Sequence, residues 1–404
     1  MNDPSSFMPS NIVAYRDALI GALPAPEALE VGIFDAVNLV IADPVFAAQP
    51  VPQHALASAD GLAVKAHDTA HASLATPVRF SVAGSLPVGS VDGAKVAIPV
   101  REGEALPYGW DAVLPVSPMT AARSEVVLTS EVSAGDLVLT AGSEIATRQL
   151  LATSGHVVTP ADVALFSAAG LDRVACVPAP RIVVFGISAD NPLSHDNPTE
   201  KTRPAAMMVA ALVREMGAMV FLGDESFASR EALAQALDAN LGRADLMILV
   251  GGNAPTTAPR VAAVLASLGA SAPTPVNLAG CESQLFGAIG SCPVVAVSDR
   301  LGAAHREFEL FLRPAIRHLQ GLNDAARTTI SAVLAADITA ETHHDQYVAV
   351  RVFRVGEVWH CEPFSNPGFA SPTTVALTDG YVPISAGGEN LVCGAQVDVI
   401  LTAS

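Results

Sequence analysis

Three short apolar stretches decide the fold: Arg181-Ile-Val-Val-Phe-Gly186, Asp245-Leu-Met-Ile-Leu-Val250 and Pro293-Val-Val-Ala-Val297. Each is bounded by polar or turn residues and is too short for a stable helix, so each predicts a buried strand. A fourth stretch, Ala218-Met-Val-Phe-Leu222, fits the same pattern. Strands that are apolar along their whole length are typical of parallel sheets covered on both faces.

Helical patterns separate these strands. Residues 205–216 carry apolar side chains at helical spacing, and Ser229 can cap a helix that begins after it. Further helices are predicted for Pro259–Leu268 and for residues 303–319. Strands that alternate with helices in this way predict a doubly wound α/β domain with a parallel sheet.

Ligands of such sheets bind beyond the carboxyl ends of the strands. Three segments follow strand ends here: the long polar loop that begins at Gly186, the run Gly251-Gly252-Asn253, and the run Ser298-Asp299-Arg300. Adjacent glycines let backbone amides come close to an anionic ligand, and an ordinary strand-to-helix turn explains them equally well. These three segments are the candidate ligand site.

The rest of the chain is richer in β patterns. Tyr347–Arg354 and Val358–Cys361 predict a hairpin, and the runs Tyr381–Ile384 and Gln396–Leu401 add strands to a small C-terminal β domain. In the first 177 residues, alternating apolar runs between 78 and 127 predict a β-rich insertion. Three helices are expected around it, at Asn11–Leu23, Ala28–Asn38 and Gln149–Gly155.

Charge and hydropathy exclude several classes of function. The 404 residues carry 22 Lys and Arg against 40 Asp and Glu, which gives a formal net charge of −18. A surface this acidic repels nucleic acids and anionic lipids. Mean hydropathy is +0.41, yet no run reaches the ~20 apolar residues of a membrane span. We therefore expect a cytoplasmic protein of two to four domains with reduced cysteines.

Common catalytic motifs are absent from the sequence. It contains no Walker A motif, no G-x-G-x-x-G after a strand, no G-x-S-x-G and no H-E-x-x-H. His67 and His71 would share one face of a helix, as metal ligands do, but their small polar neighbours favour a solvated loop. A further possibility is a small-anion site formed by Arg203, Arg260 and Arg300. The alternative is that these arginines lie in ordinary solvated loops.

Several short phrases, in order along the chain, resemble one family. Asp60-Gly-Leu-Ala-Val-Lys65 resembles its M-D-G-Y-A-V-R, Leu106-Pro-x-Gly-x-Asp-Ala-Val113 its L-P-x-G-A-D-A-V, and Leu150-Leu-Ala-x-x-Gly155 its L-L-A-S-x-G. Ala244-Asp-Leu-x-Ile248 resembles A-D-L-V-I, and Phe308-Glu-Leu-x-x-Arg-Pro314 resembles the helix that closes the α/β domain. The family is that of the molybdopterin molybdenumtransferases, which includes bacterial MoeA and the gephyrin E domain.

The resemblance implies a multidomain α/β and β fold in an elongated homodimer. The expected parts are an elongated mixed α/β domain at 10–54 and 134–177, a β-barrel-like insertion at 55–133, a Mog-like molybdopterin-binding α/β domain at 178–322 and a C-terminal β domain at 323–404. In the family, the active cleft lies between the α/β domain of one subunit and the barrel and C-terminal regions of the other.

The resemblance also implies a role in molybdenum cofactor biosynthesis. Family members take adenylylated molybdopterin and molybdate, insert molybdenum at the dithiolene and release AMP with the assistance of Mg²⁺. Asp60 and Asp190 are the expected catalytic residues and Mg²⁺ ligands, since such chemistry needs carboxylates. The residues expected to bind molybdopterin or the finished cofactor are Gly61, Lys65, Ser188, Gly251, Gly252, Asn253, Gly280, Ser298 and Asp299.

Four loops depart from the family pattern. The family's S-T-G-D-E-L reads Gly186–Asn191 here, G-G-V-S-x-G-D-Y-D reads Gly252–Pro259, L-P-G-N-P reads Val297–Leu301, and P-G-K-P is reduced to Gly280. Lost carboxylates and glycines weaken stabilisation of a transition state. Two functions follow: a divergent molybdenumtransferase, or a catalytically impaired member that binds molybdopterin or docks a protein partner in cofactor handling.

Overall fold

A computed structural model describes residues 10–82, 95–116, 124–188, 198–225, 229–269, 278, 285–322, 327–341, 343–364 and 371–402. Its helices are α1 Ser10–Gly21, α2 Pro160–Ala168, α3 Pro198–Glu215, α4 Arg230–Asn240, α5 Ala258–Ser267, α6 Leu301–Glu307, α7 Arg313–Leu319 and α8 Pro372–Ala376, with a 3₁₀ turn at Ala66–Thr69 and a π-helical turn at Phe308–Leu312. The strands are β1 Leu29–Gly32, β2 Val40–Ile41, β3 Val45–Phe46, β4 Leu56–Ala57, β5 Gly61–Val64, β6 Val78–Val82, β7 Val96–Val100, β8 Ala112–Pro115, β9 Glu125–Leu128, β10 Val138–Leu139, β11 Leu150–Ala152, β12 Arg173–Val177, β13 Arg181–Gly186, β14 Met219–Glu225, β15 Leu246–Val250, β16 Leu285–Ile289, β17 Cys292–Val297, β18 Thr329–Leu334, β19 Gln346–Val355, β20 Val358–Pro363, β21 Gly380–Ile384 and β22 Gln396–Leu401.

These elements form two units. The first comprises Met1–Leu29, Asn38–Ala42 and Val177–Ser404, and the second comprises Glu30–Val37 and Asp43–Cys176. In sequence, the second unit is therefore inserted into the first. Among the helices that the structure describes, none is both long enough and apolar enough to cross a membrane.

The first unit contains the predicted α/β sheet. Its strand order is β14-β13-β15-β17-β16, and the first four of these strands run parallel. Successive side chains point to opposite faces, so Ile182 and Val184 belong to one apolar core while Val183 and Phe185 belong to the other. Helices cover both faces, which explains why all of Leu246–Val250 is buried.

Two features of this domain differ from the sequence prediction. The helix expected at 303–319 is interrupted by the π-helical turn at Phe308–Leu312. Pro314 explains the interruption, because it lacks an N–H and its ring collides with the carbonyl group four residues earlier. The edge strand Leu285–Ile289 was not predicted, and it runs antiparallel to β17. Its Gly and Ala residues weaken the strand pattern.

The C-terminal residues of the first unit form a closed barrel. Five strands close it in the order β18-β20-β19-β21-β22. The predicted hairpin is confirmed, since Val350–Val355 pair with Val358–Pro363. Val350, Cys361 and Val399 lie in the core of the barrel. Closure leaves few free strand edges, which protects the barrel from edge-to-edge association.

The second unit is dominated by a five-stranded sheet in the order β8-β5-β7-β6-β9. Strands β6 and β7 run parallel, whereas the other pairs are antiparallel. Gly61 begins β5, and a Cβ atom there would lie 2.2 Å from the carbonyl oxygen of Leu114. The close pairing of β5 with β8 is thus a structural reason for a glycine at this position.

Two of the helices expected near the N-terminus are wrong. Residues 28–38 contain the strand Leu29–Gly32 followed by turns, and residues 149–155 contain the strand Leu150–Ala152. Short apolar runs do not distinguish a strand from a helix by periodicity alone. The helix Pro160–Ala168, which the sequence pattern did not predict, begins with a capping box between Thr159 and Asp162.

Candidate functional site

The three strand ends singled out from the sequence meet at the carboxyl edge of the α/β sheet. The backbone N–H of Ile187 donates to the carbonyl oxygen of Val250 at 2.7 Å, and that of Gly251 donates to the carbonyl oxygen of Val297 at 2.7 Å. The ends of β13, β15 and β17 are therefore joined one to the next. This edge is the place where ligands of parallel sheets bind.

Gly251 is required by the geometry of this edge. Its φ is +84°, a conformation that disfavours a side chain, and a Cβ atom would lie 2.3 Å from the carbonyl oxygen of Ile187. The hydroxyl of Thr257 donates to the carbonyl oxygen of Gly251 and so fixes the turn that follows. Gly252 is also confined, because its Cβ would lie 3.0 Å from the Cβ of Leu249. Both glycines hold the strand ends close together.

Ser188 is the most distinctive residue of the edge. It is 3% exposed, and its hydroxyl has no hydrogen-bond partner within the part of the chain that the structure describes. Its backbone carbonyl accepts a bond of 2.7 Å from a guanidinium nitrogen of Arg260. A buried hydroxyl without a partner is unfavourable, and a polar ligand atom would satisfy it.

Glu307 on α6, a carboxylate that the sequence pattern did not predict at this site, completes the edge. It is fully buried, and its Oε2 accepts bonds from the backbone N–H of Ser298 at 2.8 Å and from Nδ2 of Asn253 at 3.4 Å. Ser298 and Asn253 follow different strands, so one carboxylate contacts two strand-end loops. Both are among the residues expected to bind the cofactor.

The remaining expected residues of this edge are placed as follows. Asp299 is partly buried, and its Cβ lies 3.5 Å from the position that a Cβ of Gly251 would take. Of the three arginines considered as an anion site, Arg203 and Arg300 are exposed. Asp190 and Gly280 lie outside the described residues.

His305, two residues before Glu307, connects α6 to the barrel. Its Nδ1 lies 2.6 Å from the hydroxyl oxygen of Tyr381, and both side chains are buried. Burial, with a contribution from the charge of Arg327, lowers the pKa of His305 to about 4. Burial raises the pKa of the Tyr381 hydroxyl. The hydroxyl therefore donates to a neutral imidazole, and this bond joins α6 to β21.

Asp60, Gly61 and Lys65 belong to the second unit. Oδ1 of Asp60 accepts a bond of 2.9 Å from the backbone N–H of Glu102, so part of this carboxylate already stabilises a loop. The Nζ of Lys65 lies 4.8 Å from the ring centroid of Trp110, in a cation–π contact. These contacts give Asp60 and Lys65 structural roles in addition to the roles expected from the sequence.

The histidine pair considered as a metal site does not share a helix face. The 3₁₀ turn ends at Thr69, and His71 lies beyond it with a φ of +67°. The side chains of His67 and His71 are 74% and 96% exposed. Among the described residues, no group of three or more His, Cys, Asp or Glu side chains could hold a metal ion.

Comparisons with known proteins identify the family. The MoeA N-terminal region (domain I and II) matches residues 12–170, and the MoeA C-terminal region (domain IV) matches residues 331–402. Molybdopterin molybdenumtransferase 2 of Mycobacterium tuberculosis is 27% identical over 388 residues, which cover 92% of this chain and 94% of that protein. The chain belongs to the MoeA family.

Solved structures support the fold of this MoeA-family chain. A molybdopterin biosynthesis MoeA protein from Pyrococcus horikosii superposes with a TM-score of 0.78 at 22% identity, covering 97% of this chain and 99% of that one. Molybdopterin molybdenumtransferase of Staphylococcus aureus is 22% identical over 399 residues, which cover 93% of this chain and 92% of that protein. The expected family and fold class are thereby confirmed.

The MoeA-family chain combines expected and unexpected site residues. The sequence located Ser188, Asn253 and Ser298 because they follow recognisable strands. It gave only a weak signal for Glu307, since an isolated glutamate in a helix is exposed far more often than it is buried. The one available hint was that Glu307 adjoins the phrase Phe308–Pro314, whose apolar residues indicate a buried helix.

Proposed function

We propose that this chain acts in molybdenum cofactor biosynthesis as a molybdopterin molybdenumtransferase, which inserts molybdenum from molybdate into adenylylated molybdopterin and releases AMP. The relatives that carry this name align over nearly the whole chain, which supports the proposal. The structural observation that carries it is the buried hydroxyl of Ser188, which finds no hydrogen-bond partner among the described residues and lies where three strand ends meet.

The residues of the edge have separate roles in this proposal. Ser188 supplies a hydroxyl that can donate to, or accept from, a polar atom of molybdopterin. Gly251 and Gly252 have no side chains, so the ligand can approach their backbone closely. The side chain of Asn253 and the loop at Ser298 complete the polar surface. Burial makes each bond to the ligand stronger than the same bond in water.

The finer expectations remain proposals. We propose the four domains at 10–54 with 134–177, 55–133, 178–322 and 323–404, and an elongated homodimer whose cleft combines parts of both subunits. In that arrangement, Asp60, Gly61 and Lys65 contribute to the cleft, together with Asp190, Gly280 and Asp299. A protein partner in cofactor biosynthesis or a recipient molybdoenzyme, and a cytoplasmic location, also remain predictions.

The described residues do not by themselves fit a resident Mg²⁺ ion. Mg²⁺ prefers six oxygen ligands, and Asp60 offers one carboxylate that already accepts a backbone hydrogen bond. The second expected ligand, Asp190, lies outside the described residues. We therefore assign no step to Mg²⁺ and restrict the proposed roles to binding and positioning.

AMP release tests the proposed function. The full chain is incubated with adenylylated molybdopterin, molybdate and Mg²⁺, and AMP is quantified by chromatography against a reaction without protein. We expect AMP formation in proportion to protein concentration. Binding of molybdopterin without AMP release would instead assign the chain to the catalytically impaired class. Absence of both AMP release and binding would overturn the proposal.

A further inference from the structure

A buried carboxylate links two strand-end loops at the candidate site. Glu307 is 0% exposed, which is rare for a glutamate because removing a carboxylate from water is costly. Its Oε2 accepts from the backbone N–H of Ser298 and from the side-chain amide of Asn253. The 2.8 Å distance to the Ser298 nitrogen is typical of a charge-assisted bond.

A favourable interaction with the helix dipole does not explain why Glu307 is found at this position. An acidic side chain is favoured in the first turn of a helix, whereas Glu307 lies beyond the first turn, where Leu301–Glu307 continues into the π-helical turn at Phe308–Leu312. The nearby Glu309 is also buried, and its carboxylate pairs with Arg327 at 2.9 Å and faces Arg313. The contacts of Glu307 with Ser298 and Asn253 lie at the edge of the sheet.

The two groups that Glu307 contacts lie at the ends of neighbouring strands. Ser298 is the first residue after β17, where the ladder of the sheet has ended. Asn253 follows Gly251 and Gly252 in the turn after β15. Loops at strand ends open with little cost in free energy unless additional contacts hold them. A single carboxylate bound to both loops reduces the number of arrangements that they can adopt.

We propose that Glu307 is a positioning residue, which holds the loops after β15 and β17 in one arrangement and so prepares the edge of the sheet for its ligand. The identity of that ligand as molybdopterin rests on the proposed function. The positioning itself does not, because the bonds of Glu307 are present in the chain without any ligand. Pre-arranged loops bind more tightly, since less conformational entropy is lost on binding.

Hydrogen exchange in the ligand-free protein tests the positioning directly. Glu307→Ala removes both bonds, so we expect exchange of the Ser298 amide to rise about tenfold or more, with a parallel rise in peptides that contain Asn253. Glu307→Gln keeps an oxygen acceptor on a side chain of the same length and should retain most of the protection from hydrogen exchange. If Glu307→Ala fails to fold, Glu307→Asp serves instead, because its shorter side chain reaches both donors less well.

Glu309→Gln provides the matched control. It alters a buried carboxylate on the same helical segment and should lower the melting temperature without a selective rise in exchange at the two loops. Unchanged exchange at Ser298 in both Glu307→Ala and Glu307→Asp would overturn the proposal. An equal rise in Glu309→Gln would also overturn it, since the effect would then reflect general destabilisation.

A molybdopterin titration separates this proposal from the proposed function. We expect Glu307→Ala to weaken molybdopterin binding about tenfold or more and Glu307→Gln to restore it substantially. If the wild-type chain binds no molybdopterin, the proposed function fails and the exchange experiment still decides the positioning role. If the wild type binds and Glu307→Ala binds equally well, the role in preparing the site is contradicted.

Discussion

The buried hydroxyl of Ser188, which has no hydrogen-bond partner among the described residues, lowers stability and can form a bond to a ligand. A buried hydroxyl without a partner costs about 1 kcal/mol or more, so we expect Ser188→Ala to leave the free energy of unfolding unchanged or to raise it by about 1 kcal/mol. The same change should weaken molybdopterin binding. Urea unfolding and a binding titration measure the two effects.

Ser298→Ala is a suitable comparison for Ser188→Ala. The Ser298 hydroxyl accepts a bond of 3.1 Å from the backbone N–H of Arg300. Its removal should therefore lower stability, in contrast to Ser188→Ala. A loss of stability in Ser188→Ala of the same size as in Ser298→Ala would show that the Ser188 hydroxyl is already satisfied in the folded chain.

Gly251 is the backbone residue on which the arrangement of the strand ends depends most. A Cβ there would overlap the carbonyl oxygen of Ile187, in addition to the strain of a positive φ. We expect Gly251→Ala to lower the free energy of unfolding by about 3 kcal/mol. Gly242 also has a positive φ but nothing within 4 Å of an added Cβ, so Gly242→Ala should cost only about 1 kcal/mol. Equal losses in urea unfolding would contradict the close contact.

His305 predicts a pH dependence of stability. Its pKa in the folded chain is about 4, below the ~6.5 of an unfolded histidine, so the unfolded state binds the proton more readily. The stability that neutral His305 contributes is complete above pH ~6.5 and is lost as the pH falls towards 4.

The variant His305→Gln isolates this effect. Between pH 7.5 and pH 5, the wild type should lose about 2 kcal/mol more free energy of unfolding than the variant. Groups elsewhere titrate equally in both proteins, so the difference reports on His305. Parallel stability curves for the two proteins across this range would contradict a buried neutral histidine.

A buried ion pair joins the π-helical turn at Phe308–Leu312 to Arg327, which precedes the first strand of the barrel. Arg327 donates two hydrogen bonds, of 2.9 and 3.0 Å, to the carboxylate of Glu309. Burial raises the pKa of Glu309, and the neighbouring Arg327 and Arg313 oppose that rise. We expect Arg327→Ala to lower stability by about 3 kcal/mol, because it leaves a buried carboxylate with too little compensation.

Arg354→Ala provides the control for this prediction. Arg354 is exposed on the barrel and stacks on Trp359 at 4.4 Å from the ring centroid, a contact that contributes about 0.5–1 kcal/mol. Urea unfolding compares the two variants. Similar losses in both would show that the pair between Arg327 and Glu309 is solvated rather than buried.

The elements that the sequence predicted well are those with strong local patterns. Residues 182–185 and Leu246–Val250 are fully apolar runs, and Ser229 has the side chain of an N-cap. The failures lie where tertiary contacts override local preference. Leu150–Ala152 forms a strand because it pairs with Val45–Phe46, more than 100 residues earlier, and no local pattern contains that partner.

The candidate site was predictable only in part for a related reason. Ser188 and Gly251 follow strands, so the topology of a parallel sheet brings them together. Glu307 depends on how α6 packs over the ends of the strands, and its burial leaves no mark in a sequence that has many other glutamates. The hydrogen bond between His305 and Tyr381 likewise depends on the position of the barrel beside the helix.

At the scale of the whole molecule, the MoeA assignment rests on matches spread along the chain. The two family models match residues 12–170 and 331–402, and the match to the Pyrococcus horikosii structure covers 97% of this chain. The net charge of −18 favours solubility and disfavours nucleic acids. The carboxyl edge of the α/β sheet, with its buried polar groups, is the candidate site that we propose for a small polar ligand.

A crystal structure of the chain with molybdopterin tests the central claim most directly. We expect molybdopterin at the ends of β13, β15 and β17, with a polar atom about 3 Å from Oγ of Ser188 and with the loops at Asn253 and Ser298 against it. Molybdopterin bound elsewhere without contact to Ser188 or these loops, or no bound molybdopterin at saturating concentration, would contradict the account.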